Sequence, residues 1–127
     1  MSLLDKLFPK KHAIVHREMP SWEEIVAHMQ DRELTFFADT VVRVIPSKNR
    51  DKRIVILKSE QGYFKTLYEE IHVWDEDEWN YCSSDPDSYP AYWVPANSSI
   101  NSKSFYGTEE DAFNALVETW EYNTHFI

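Results

Sequence analysis

Apolar residues recur at helical spacing in two stretches of the chain. The first stripe consists of Trp22, Ile25, Val26 and Met29. It follows the capping box Ser21-x-x-Glu24, a pattern that begins helices. The second stripe consists of Ala112, Phe113, Leu116, Val117 and Trp120, and it follows the cap Thr108-x-x-Asp111. The spacing therefore predicts two main helices, at about 21–31 and 108–121, with both stripes and their tryptophans buried.

Between these helices, β-branched and aromatic residues form runs typical of strands. The run 34–45 indicates one long strand, or two strands that meet at a bulge near Asp39. Runs at about 53–59 and 63–74 follow, joined by a glycine turn, and 89–94 is predicted to be a short edge strand because it contains a proline. In the third run apolar residues occupy odd and even positions alike, so the pattern leaves its buried face open.

These elements predict one α+β domain. We expect two layers, with an antiparallel meander of four or five strands and both main helices on one face of the sheet. The length of 127 residues is that of a single domain, which we place at 13–127. Residues 1–12 are set apart as a short amphipathic segment.

The N-terminal segment carries an apolar stripe beside several lysines. Leu3, Leu4, Leu7 and Phe8 form the stripe, and Lys6, Lys10 and Lys11 flank it. This pattern is typical of an interfacial anchor, so one hypothesis gives residues 2–11 a weak contact with a membrane surface. Docking on the core of the domain, or fraying, is the alternative.

The small numbers of cysteines and glycines disfavour several classes of protein. The single cysteine, Cys82, cannot form an internal disulfide, and the sequence has neither a signal peptide nor a run of about 18 apolar residues. We therefore expect a cytoplasmic protein that does not span a membrane. With only two glycines, the chain cannot form the glycine-rich phosphate loops of P-loop or dinucleotide-binding enzymes.

Charge is distributed unevenly between the two halves of the chain. Residues 1–65 contain 12 Lys and Arg against 9 Asp and Glu, whereas residues 66–127 contain one cation, Lys103, against 13 carboxylates. The second half therefore has a net charge of −12. Such a half disfavours nucleic acid as a partner and favours a basic protein, although solubility alone would also explain it.

Carboxylates and aromatic rings come together in the segment 72–93. It runs from the end of the third strand to the edge strand at 89–94, and we expect its acidic block to lie in an irregular, exposed loop. The candidate partner-binding residues are His72, Trp74, Asp75, Glu76, Asp77, Glu78, Trp79, Tyr81, Tyr89, Tyr92 and Trp93. Tyr and Trp are enriched at binding hot spots, and a rim of carboxylates speeds encounter with a basic partner. The leading hypothesis is a small acidic binding module without enzymatic activity, such as an inhibitor or immunity-type protein that blocks a basic partner.

Two other functions remain open. The same aromatics would suit a small-ligand or hydrolase-like cleft, and residues 2–11 would suit a membrane-peripheral factor. No catalytic residue or cofactor is predicted. No metal is predicted either, because the acidic block lacks the ligand spacing of a calcium loop: Trp79 stands where the third ligand belongs.

Overall fold

The computed structural model describes residues 17–101 and 104–127. Its strands are β1 (Thr40–Pro46), β2 (Lys52–Lys58), β3 (Phe64–Val73) and β4 (Ala91–Pro95). Its helices are α1 (Trp22–Met29), α2 (Glu76–Cys82), α3 (Glu109–Val117) and α4 (Trp120–His125), with a 3-10 turn at Ser99–Asn101. The segment 1–12 and its proposed lipid contact lie outside the described residues.

The four strands form one antiparallel sheet in the order β1-β2-β3-β4. This confirms the α+β class and the four-strand meander. Both main helices begin where their caps predict, since the side chains of Ser21 and Thr108 accept the backbone N–H groups of Glu24 and Asp111. In the part of the chain that is described, no helix is long and apolar enough to cross a membrane.

The two main helices lie on opposite faces of the sheet, which differs from the single helical layer that the sequence predicts. Ile71 and Val73 of β3 pack into the cluster that contains Ile25 and Met29 of α1. Tyr68 of β3 packs instead with residues of α3 and α4. Because successive strand residues point to opposite faces, the mixed pattern of β3 means that both of its faces are buried. We call these the α1 face and the α3 face.

The first strand is shorter than predicted and begins only at Thr40. Before it, a tight turn brings Phe36 opposite Asp39 and holds Phe37 at a φ of 56°. The bulge lies at Val42, within β1, and not near Asp39. Aromatic residues raise strand propensity, but the residues before Thr40 have no neighbouring strand to pair with in this position.

Both stripe tryptophans lie outside the core. Trp22 is 47% exposed and Trp120 is 70% exposed, whereas Ile25, Met29 and Leu116 are buried. The second helix is also interrupted, because the side chain of Thr119 accepts the backbone N–H of Tyr122 and begins α4 as a new helix. Helical spacing therefore identifies the buried face but not its edges.

A buried ion pair joins the α1 face to the segment after α1. Nε of Arg53 donates to Oε1 of Glu69 at 2.8 Å, and its other nitrogens donate to the carbonyls of Arg32 and Glu33. The guanidinium also lies over the ring of Trp93, 4.2 Å from its centroid. Arg53, which the sequence places beside a polar loop, is thus a core residue that ties residues 32–33 to the sheet.

Candidate partner-binding surface

The acidic block forms a helix, which corrects the predicted irregular loop. Asp75 is the N-cap of α2, and its carboxylate accepts the backbone N–H of Glu78 at 2.8 Å. That hydrogen bond lowers the pKa of Asp75 below its ordinary value, and the charge of His72 adds a smaller effect in the same direction. Glu76, Asp77 and Glu78 follow in the first turn, where carboxylates are favoured by the positive end of the helix dipole. The signal was present in the sequence as the capping pattern Asp75-x-x-Glu78.

Trp79 points inward from α2 and is 3% exposed. Its indole N–H donates to the carbonyl of Arg17 at 2.9 Å, and the guanidinium of Arg17 lies 4.9 Å from its ring centroid. Arg17 also donates to the carbonyls of Ser83, Asp85 and Ser88. Trp79, one of the predicted contact residues, is therefore buried in this structure and anchors the helix.

Three more of the predicted aromatics support the fold. Trp93 is buried beneath Arg53, and its indole N–H donates to the carbonyl of Met29. Tyr89 is half-buried and stacks on His28, with ring centroids 3.7 Å apart. Trp74 is also half-buried, next to Trp79. Trp93 is thus excluded from direct contact with a partner, and Tyr89 and Trp74 offer only part of their surface.

Seven of the predicted residues are exposed: His72, Asp75, Glu76, Asp77, Glu78, Tyr81 and Tyr92. We call them the acidic surface. His72 and Tyr92 are cross-strand partners on the α3 face, with ring centroids 5.0 Å apart. Tyr81 is 88% exposed at the last turn of α2. The end of β3 therefore places an aromatic pair beside the acidic helix.

Among the described residues, no ion pair involves the carboxylates of the acidic surface. Within residues 17–101 and 104–127 the ion pairs are Lys52–Asp51, Arg53–Glu69 and Lys65–Asp39, and none of them reaches α2. No group of three His, Cys, Asp or Glu side chains among these residues is arranged to hold a metal ion. The surface is thus strongly negative and open to solvent.

The structure also contains a cavity that the sequence does not predict. A cavity of about 620 Å³ lies at the start of β3, lined chiefly by aromatic and aliphatic side chains. Its first wall is the turn that contains Phe36 and Phe37, which the sequence assigns to a strand. Only the tertiary structure brings this turn next to Phe105.

None of the three comparisons with known proteins, by family model, by curated sequence and by solved structure, gave a match.

Proposed function

We propose that this protein is a non-enzymatic binding module that blocks a basic protein through the acidic surface. The observation that supports this most directly is the construction of α2. One side of the helix is fixed by the buried Trp79, and Asp77 and Tyr81, four residues apart, share the opposite side, with the exposed Glu76 and Glu78 flanking them. A rigid element presents such groups with little loss of entropy on binding.

The negative charge of the acidic surface should speed its encounter with a basic partner. Residues 66–127 contain 13 carboxylates and one cation, so the field around α2 attracts a basic protein before contact. Exposed charges of this kind raise the rate of association and are screened beyond about 8–10 Å at moderate salt. Binding by this surface should therefore be fast and strongly dependent on ionic strength.

The aromatic residues supply the short-range contact. Tyr81 is an exposed ring with a hydroxyl, the type of side chain that is enriched at binding hot spots. The tilted His72–Tyr92 pair adds a second aromatic contact on the neighbouring strands. Carboxylates around these rings would guide arginine and lysine side chains of a partner onto them.

The charge contribution is tested by neutralising Glu76, Asp77 and Glu78 to Gln, Asn and Gln, with the Asp75 cap retained. A matched control neutralises the first turn of α3, at 109–111, which also carries three carboxylates. We expect the α2 variant to lose the basic proteins that the wild-type protein captures from a lysate at low salt, as identified by mass spectrometry. The α3 variant should still capture them. Equal losses with both variants, or none with either, would contradict the proposal.

The aromatic contribution is tested by Tyr81→Ala, with Trp120→Ala as control because both rings are exposed on helices. Against a partner recovered by capture, Tyr81→Ala should speed dissociation while leaving the salt dependence of association in place. Trp120→Ala should change neither rate. Unchanged dissociation in Tyr81→Ala would remove this ring from the interface.

A further inference from the structure

The cavity at the start of β3 lies far from the acidic surface. Lys65 and Val73, near the two ends of the strand, are eight residues apart, which corresponds to about 26 Å at 3.3 Å per residue. Both are odd-numbered residues of β3 and point to the α1 face, but α1 packs only near the Val73 end. The Lys65 end therefore retains an open groove.

The groove has a floor from two strands and walls from two loops. Leu57, Lys65 and Leu67 form the floor, with Leu57 and Lys65 paired across β2 and β3. One wall is the turn that carries Phe36 and Phe37. The other contains Phe105, which is held in place because the backbones of Phe64 and Tyr106 exchange two hydrogen bonds of 2.8 Å. Its volume of about 620 Å³ is typical of small-molecule sites.

Phe37 lies in the tight turn between Phe36 and Asp39, where its side chain gains no packing. Its φ of 56° is in the left-handed region that bulky L residues disfavour, and its side chain is fully exposed. It makes no ring contact with another described residue. Phe37 is one of the residues that line the groove, so its exposed ring is available for contact with a bound molecule.

The groove also contains one ion pair. Nζ of Lys65 contacts the carboxylate of Asp39, and both side chains remain partly exposed. Lys65 is the only cation among the described lining residues, and it lies on an otherwise apolar floor. An anionic group entering the groove would therefore meet a lysine that is partly exposed and paired with a single carboxylate.

We propose that this groove binds a small aromatic anion. Its ring system would lie between the wall of Phe36 and Phe37 and the wall of Phe105, and its acidic group would contact Lys65. This site is separate from the acidic surface, and it does not depend on the partner-binding function.

The charge requirement is tested with 8-anilinonaphthalene-1-sulfonate, a probe with two aromatic ring systems and one sulfonate. We expect saturable binding to the folded protein, followed by fluorescence. Lys65→Gln should weaken the probe several-fold, because it removes the cation. Asp39→Asn should tighten it several-fold, because it frees Lys65 from its partner. A change of the same sign in both variants, or no change in either, would overturn the proposal.

The role of Phe37 is tested by replacing it with glycine, which adopts a positive φ without strain. Phe37→Gly should raise the melting temperature by roughly 3–5 °C and yet weaken the probe several-fold. The matched control is Arg50→Gly, at another residue with positive φ that does not line this groove. It should raise the melting temperature without changing probe affinity. Unchanged affinity in Phe37→Gly would overturn the assignment of this ring to the site.

A second copy of the chain is the other possible occupant, and sedimentation distinguishes it. If the groove were a dimer interface, the protein would be dimeric at micromolar concentration and the probe would bind less as protein concentration rises. A monomer whose probe affinity is independent of protein concentration supports the small-molecule site, and the opposite result overturns it.

Discussion

At the scale of single residues, the pair Arg53–Glu69 shows how burial and charge compete. Burial raises the pKa of Glu69 by more than the nearby guanidinium lowers it. Burying this carboxylate therefore costs free energy, and Arg53 offsets part of that cost. Removing one partner of such a pair is far more damaging than replacing both, because it leaves an uncompensated charge.

We predict that Arg53→Leu lowers the free energy of unfolding by about 3–5 kcal/mol at neutral pH, measured by urea denaturation. Because the folded-state pKa of Glu69 is raised, the stability gained from its protonated form is complete below its ordinary value of 4.5 and is lost as pH rises through the raised pKa. The defect of the variant should therefore shrink as pH falls.

The double variant Arg53→Leu/Glu69→Leu is the control for this prediction. It lacks the buried carboxylate of Glu69, so part of the stability should return and the contribution of Glu69 to the pH dependence of stability should disappear. A single variant whose defect is equal at pH values above and below 4.5 would show that Glu69 is not the cause.

At the scale of one element, α2 depends on a single side chain. A helix of seven residues is too short to be stable by its own hydrogen bonds, so its packing must hold it. Trp79 provides that packing, and Arg17 closes over its ring and bonds the carbonyls that follow the helix. The display of the carboxylates on α2 thus depends on a residue that no partner can reach.

We predict that Trp79→Ala costs about 3–5 kcal/mol, whereas Trp120→Ala costs about 1 kcal/mol or less. The difference follows from exposure, which is 3% for Trp79 and 70% for Trp120. Denaturant midpoints measure both losses, and hydrogen exchange of residues 76–82 reports whether α2 opens locally. Equal losses in the two variants would contradict the anchoring role.

At the scale of the whole molecule, the sheet separates two hydrophobic clusters. The cluster on the α1 face contains Ile25 and Met29, and the cluster on the α3 face contains Ile54, Ile100 and Leu116. Side chains on opposite faces share no contact, so their contributions to stability should be independent.

We predict that Ile25→Val and Ile54→Val, one in each cluster, each cost about 0.5–1.5 kcal/mol and add to within about 0.5 kcal/mol. The matched pair Ile54→Val and Ile100→Val lies in one cluster and should show coupling beyond that limit. Additivity in both pairs, or coupling in the first, would indicate that the sheet does not separate the clusters as the structure has it.

Local physics made part of this protein predictable from its sequence. The caps at Ser21 and Thr108 act within three residues, so the sequence predicts where both main helices begin. Strands joined by short turns pair with their neighbours in the chain, so it also predicts the meander. The helical cap at Asp75 was also readable by the same rule. The run of four carboxylates competes with this signal, because consecutive charges favour a solvated loop.

Burial, in contrast, was decided by tertiary structure. Whether Trp79 or Trp120 is buried depends on segments far away in sequence, such as Arg17, that cover one ring and leave the other open. The faces of the sheet that the helices cover depend on the same long-range packing, and so does the groove between Phe37 and Phe105. Periodicity specifies which side chains share a face, but the partner that covers each face is set by non-local contacts that a spacing pattern does not contain.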